Sequence, residues 1–128
     1  MLLDKTLLDE LTEKAKASVR LRMHYDLRDS VEDGSMRMLN ALEPGTVIPV
    51  HRHRETSEDV ICIRGEVEEV LYDSIGTEVE RYRLVAGGAC HVPMGQYHTC
   101  QSLMSGSVIF EFKNGKYDPA TTEDILKM

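Results

Sequence analysis

Hydrophobic and polar positions along this chain change period once. Between Asp4 and Ser18, Leu7, Leu8, Leu11 and Ala15 recur every three or four residues. That is the spacing of one face of an α-helix, and it predicts a single helix packed on the outside of the rest of the chain. Thr6, with Asp9 three residues on, resembles a capping box with Asp in the place of Glu. Arg20 to Ser35 is polar and irregular, and reads as a connector with one short strand around Leu21–Leu27. From Met36 onward the helical period disappears. Short runs rich in Val, Ile, Leu and Tyr are divided by Pro44-Gly45, Arg64-Gly65, Ser74-Ile75-Gly76, Gly87-Gly88, Met94-Gly95 and Asn114-Gly115. Strands separated by turn signals at intervals of roughly 8–12 residues predict an all-β sandwich or barrel. The expected organisation is an N-terminal helix and connector over residues 1–35, packed on a barrel over 36–128, as one structural domain. The tail holds Asp118-Pro119, then either a helical turn capped by Thr121 or Thr122 or a frayed terminus.

Composition narrows this little. A chain of 128 residues is long enough to bury a core without disulfides. A formal net charge of −7 argues against nucleic acid as partner, because phosphate binding needs a basic surface. Acids in the first turns argue against a signal peptide, and no apolar run approaches the ~20 residues of a membrane span. Cys62, Cys90 and Cys100 are an odd count without CxxC spacing, as expected of reduced thiols in a cytoplasmic protein.

The chemistry concentrates in two glycine-bounded segments. In the first, His51 and His53 stand two apart, so on an extended chain both imidazoles point to one side. Pro49 disfavours helix there. Glu58 opens the next apolar run, Val60 to Ile63, and faces the same interior once the chain turns through 54–57. In the second segment Pro93 and Gly95 make a tight turn and His98 starts a new strand. Three imidazoles and one carboxylate suit one divalent transition metal, Zn, Fe, Mn, Ni or Co, with positions left open for water or substrate.

These segments resemble the cupin superfamily. The first fits G-x5-H-x-H-x4-E-x6-G on Gly45, His51, His53, Glu58 and Gly65. The second fits G-x5-P-x-G-x2-H-x3-N on Gly87, Pro93, Gly95 and His98, with Ser102 where the pattern has Asn. That Asn is not a metal ligand in the superfamily. The resemblance implies a double-stranded β-helix, or jelly-roll barrel, and metal binding by His51, His53, Glu58 and His98. Leu39-Asn40 running through Pro44-Gly45-Thr46 to the two histidines, Arg20-Leu21-Arg22 after the helix, and Phe110-Glu111-Phe112 with Tyr117 look like the WbuC-family cupin metalloproteins. For some members that family implies an association with surface-polysaccharide gene clusters, without an established reaction.

Further candidates surround this set. His91, two residues before Pro93, is a candidate catalytic proton shuttle. Arg20, Arg22 and Arg37, with Asn40, are candidate substrate-binding residues, since arginine clamps carboxylate or phosphate with two hydrogen bonds. Tyr25, Gln96 and Tyr97 are polar candidates near the barrel mouth. If Glu58, Val60 and Cys62 face inward, Asp59, Ile61 and Ile63 face outward, and two outward isoleucines need the helix or a second subunit as cover. A homodimer is therefore expected. Two function classes stay open. One is a metal-dependent enzyme (isomerase or epimerase, lyase, or dioxygenase) acting on a small polar, sugar-derived anionic molecule. The other is a non-catalytic module that binds or senses a sugar or metabolite through the metal.

Overall fold

The computed structural model describes residues 1–117 and 124–128, so the Asp118-Pro119 turn and the Thr121 or Thr122 cap lie outside the described residues. Among the described residues, helix α1 (Lys5–Ala17) is followed by eight strands: β1 (Arg22–Asp26), β2 (Met36–Leu42), β3 (Glu58–Arg64), β4 (Glu66–Tyr72), β5 (Glu78–Val85), β6 (Ala89–Val92), β7 (Tyr97–Ser102) and β8 (Ser107–Lys113). They form a five-stranded sheet in the order β1-β2-β8-β3-β6 and a three-stranded sheet in the order β5-β4-β7. Every pairing is antiparallel. This is the expected jelly-roll architecture with an added N-terminal helix. Among the described residues, no helix is long and apolar enough to cross a membrane.

The helix begins earlier than the capping-box reading placed it. Asp4 is the N-cap, and its carboxylate accepts from the Leu7 amide at 3.1 Å. Thr6 already lies inside the first turn, where its backbone is helical and it cannot cap. Asp9 instead accepts from Lys5 Nζ at 2.7 Å and Arg64 Nη1 at 2.6 Å.

The helix stripe buries Leu8, Leu11 and Ala15 against Leu39, Ala41 and Val108, with Ile63 and Phe110 packed at the edge. Strand alternation sets this contact. On β2, Leu39 and Ala41 face outward beneath the helix, while Leu42 faces the other sheet. Each fully buried aliphatic side chain contributes roughly 1.5–3 kcal/mol of transfer free energy. Arg64 fastens the helix to the barrel by donating to Leu8 O (3.1 Å), Thr12 Oγ1 (2.8 Å) and Gly106 O (2.8 Å), besides Asp9.

Between the sheets, Leu42, Val60, Cys62 and Ile109 of one meet Val67, Leu84 and Cys100 of the other. On β3, Glu58, Val60 and Cys62 are buried and Asp59 is exposed, the expected parity. Ile61 and Ile63 are half-buried on the outer face, and the helix cluster covers Ile63. The three cysteines are free thiols. The apolar core closes one end of the sandwich. At the other end the same inward-facing rows turn polar and surround a cavity.

Candidate metal centre

His51 lies outside the named strands but is extended. Its amide donates to His98 O at 3.0 Å and its carbonyl accepts from His98 N at 2.8 Å, an isolated antiparallel bridge to β7. His53 O accepts from Gly95 N at 2.8 Å, so the Pro93–Gly95 turn holds the second histidine in place. Glu58 stands at the first position of β3.

The four side chains converge, His51 and His53 from one side as their i, i+2 spacing predicts. Ring centroids lie 5.0 Å apart for His51–His53, 4.5 Å for His51–His98 and 5.7 Å for His53–His98. Glu58 Oε2 is 3.3 Å from both His53 Nε2 and His98 Nε2. One ligand atom from each of the four residues lies within 4.8 Å of all the others.

The outer ring nitrogens of this set are engaged. His51 Nδ1–H donates to Pro49 O at 2.8 Å. His98 Nδ1–H donates to Glu69 Oε1 at 2.5 Å. His53 Nδ1 lies 3.4 Å from Lys113 Nζ. The Nε2 edges of His53 and His98 are left toward Glu58. Glu58 Oε2 and His98 Nε2 are buried yet make no hydrogen bond. Buried polar atoms without partners are costly, and a cation between them would satisfy both. Two ligands each about 2.1 Å from one ion stand about 3.0–3.4 Å apart, which matches the 3.3 Å spacings here. The donor set and its orientation therefore fit a borderline divalent metal.

Without a cation the charges repel or pair among themselves. Burial alone would lower the His98 imidazole, but Glu58 and Glu69 on its two sides outweigh that and raise it to about 10. Burial, with the neighbouring His98 charge, lowers His51 to about 4. Burial alone would raise Glu58, but the His53 and His98 imidazoles beside it hold it well below the usual carboxylate range.

The cavity over these ligands has a volume of about 260 Å³. Of the candidate substrate-binding residues, Arg22 and Asn40 line it. Arg22 Nη1 donates to Val47 O at 2.9 Å, and Asn40 Oδ1 is buried without a partner. Arg20 and Arg37 do not line it. Arg20 is exposed. Arg37 sits between Met36 and Met38 on β2, so alternation turns it outward, where it pairs with Asp33 and lies 3.8 Å from Asp29. His91 is also absent from the cavity. On β6 it stands opposite Asp59, the outward residue of β3, and its Nδ1 lies 2.6 Å from the Asp59 carboxylate. Its side chain is 58% exposed, so the expected proton shuttle faces the outside. Nor does the mouth take up the other polar candidates. Tyr25 packs in the helix cluster, Gln96 donates to Tyr72 O at 2.7 Å, and Tyr97 carries the Arg52 guanidinium 5.1 Å from its ring centre.

Two acids and one lysine of the cavity were not among the candidates: Glu69, Glu111 and Lys113. Glu69 shares a strand face with Val67 and Leu71, an acid interrupting an apolar row, and that interruption is the signal in the sequence. Glu111 and Lys113 follow Ile109 on the inward face of β8, while Phe110 and Phe112 stack outside at 4.2 Å. Burial, reinforced by the charges of Glu58 and Glu69, raises Glu111 to about 8.

Comparison with known proteins bears on the family and the fold. A family described as a domain of unknown function, DUF6016, matches residues 3–84. The chain belongs to that family. The matched stretch contains His51, His53 and Glu58 and stops before His98. A comparison with curated proteins finds no match. Among solved structures, KdgF from Halomonas sp. superposes with a TM-score of 0.63 at 18% identity, over 76% of this chain and 82% of that one. Oxalate oxidase in complex with glycolate gives 0.68 at 15% identity, over 82% and 56%. The capsular polysaccharide assembling protein CapF from Staphylococcus aureus gives 0.67 at 18% identity, over 80% and 30%. At these identities the likeness shows the cupin fold.

Proposed function

We propose that this DUF6016 cupin binds one divalent transition metal through His51, His53, Glu58 and His98, and acts as a metal-dependent enzyme on a small anionic, sugar-derived molecule. The observation that carries the reading is the convergence of four ligand atoms, with Glu58 Oε2 and His98 Nε2 buried and lacking hydrogen bonds. When bound, the metal would polarise a carbonyl or hydroxyl oxygen of the substrate. Arg22 offers a guanidinium to an anionic group, and Asn40 Oδ1 an acceptor to a hydroxyl. Glu111, rather than His91, is the cavity group suited to giving and taking a proton near neutral pH. That group favours an enzyme over a purely binding module. Isomerisation, epimerisation and lyase chemistry all need such a group. Kinship with the WbuC family and a role in surface-polysaccharide synthesis belong to the same proposal, supported by the sequence resemblance and the likeness to CapF. Free thiols suit the cytoplasm, and the half-exposed Ile61 suits a homodimer.

The test is the metal content of protein purified without a His tag, by elemental mass spectrometry, beside a His51→Ala/His98→Ala variant. About one equivalent per chain, lost in the variant, is expected of a single site. Absence of metal after reconstitution with each divalent ion would overturn the proposal.

A further inference from the structure

We propose that Glu69 is a positioning residue of the metal centre, fixing the tautomer and ring orientation of His98 and so tightening metal binding. This role rests on metal binding by the four ligands proposed for the site.

Glu69 lies on β4 opposite Cys100, one inward position along from Leu71, which stands opposite His98. Its side chain therefore lies diagonally beside the imidazole on the same face. Glu69 is 1% exposed and His98 is 3% exposed. A carboxylate placed this deep, on a face shared with Val67 and Leu71, destabilises the fold unless it is compensated. Its Oε1 is compensated by the 2.5 Å bond from His98 Nδ1–H, while its Oε2 is buried without a hydrogen bond. The two nitrogens of an imidazole lie on opposite sides of the ring. In the neutral imidazole that ligates a metal, holding the proton at Nδ1 leaves Nε2 as the lone-pair nitrogen, and Nε2 is the atom facing Glu58.

The three histidines differ in what holds their outer nitrogen. His51 uses a backbone carbonyl, which is neutral, and His53 lies near the Lys113 ammonium. Among the described residues, His98 alone of the three has a carboxylate there. An anionic partner makes the opposite nitrogen a stronger donor, and loss of such a partner typically costs about 10–100-fold in metal affinity. Glu69 also lines the cavity, but its bonded oxygen is committed to His98, so it acts through that ligand.

The experiment refills metal-free protein with Co²⁺ and measures the dissociation constant by chelator competition, together with the visible cobalt spectrum. Wild type is compared with Glu69→Gln and Glu69→Ala. Gln keeps the size and an acceptor oxygen but removes the charge. The expected result is weakening of about tenfold or more in Glu69→Gln, within the range for lost outer partners. A shifted cobalt spectrum should accompany it, with a larger loss in Glu69→Ala if that variant folds. A merely structural Glu69 would lower the melting temperature of the metal-free protein and leave the affinity and spectrum of the folded fraction unchanged. Affinity within twofold of wild type and a superimposable spectrum in Glu69→Gln would overturn the proposal while the metal-binding reading stands. If wild type takes up no cobalt, the metal-binding reading falls, and the positioning role with it.

Discussion

Glu58 shows how much one residue can depend on its neighbours. It is buried at the start of β3, touches two imidazoles and has a second buried acid, Glu69, beyond His98. Glu111 is the third acid of this cavity. Its titration yields a prediction with a definite sign. In metal-free protein Glu111 keeps its proton up to about pH 8, whereas in the unfolded chain it titrates near 4.5. Between those values the folded state binds more protons than the unfolded state, so the contribution of Glu111 to stability falls as pH rises. Glu111→Gln removes that dependence. Melting curves of metal-free wild type and Glu111→Gln at pH 5 and pH 8 should show a gap in favour of the variant that widens with pH. An equal gap at both pH values would mean that Glu111 titrates as an ordinary carboxyl.

At the scale of elements, strand parity does most of the placing. The alternation read from the sequence put Glu58, Val60 and Cys62 on one face of β3, and the structure agrees. The same rule, applied to β2 and β6, places Arg37 and His91 outside. It could not be used there from sequence alone, because parity relates residues within a strand and does not say which face is the inner one. Turns are the other element with a clear physical demand. Gly65 carries the chain from β3 in one sheet to β4 in the other with φ of 83°. A Cβ there would stand 2.7 Å from Ser107 Cα and closer still to Ser107 Oγ, which accepts from Glu66 N. Strain and clash act together, so Gly65→Ala should destabilise the fold by about 2–4 kcal/mol. Chemical denaturation would show this as a lower midpoint with unchanged slope, and a midpoint equal to wild type would mean the turn can relax.

For the molecule as a whole, residues 124–128 pack against the end of the sandwich that holds the candidate ligands. Ile125 bridges His51 and lines the cavity, Leu126 N donates to Val50 O at 2.8 Å, and Arg52 N donates to Asp124 O at 3.0 Å. Arg54 Nε reaches the Asp124 carboxylate at 2.6 Å. This segment backs the extended stretch that presents both histidines of the first motif. Removing residues 124–128 should speed metal extraction by a chelator several-fold, because unpaired edge backbone opens more readily. Stopped-flow release with a coloured chelator measures it, and an unchanged rate would show that the segment leaves the site's opening untouched.

Sequence by itself determined the helix, the all-β remainder and the four candidate ligands. Those features rest on local periodicity and on short spacings within one strand or turn. His51 and His53 share a side because they are two apart, and Pro93 with Gly95 sets His98 at the start of β7. Only the tertiary structure decided which other charged residues meet these ligands. Glu69 reaches His98 across 29 residues of chain, and Arg22 and Asn40 join Glu111 through the registers of β1, β2 and β8. Such meetings depend on strand register and on which sheet face closes over the core, and both are settled by the packing of the two sheets together.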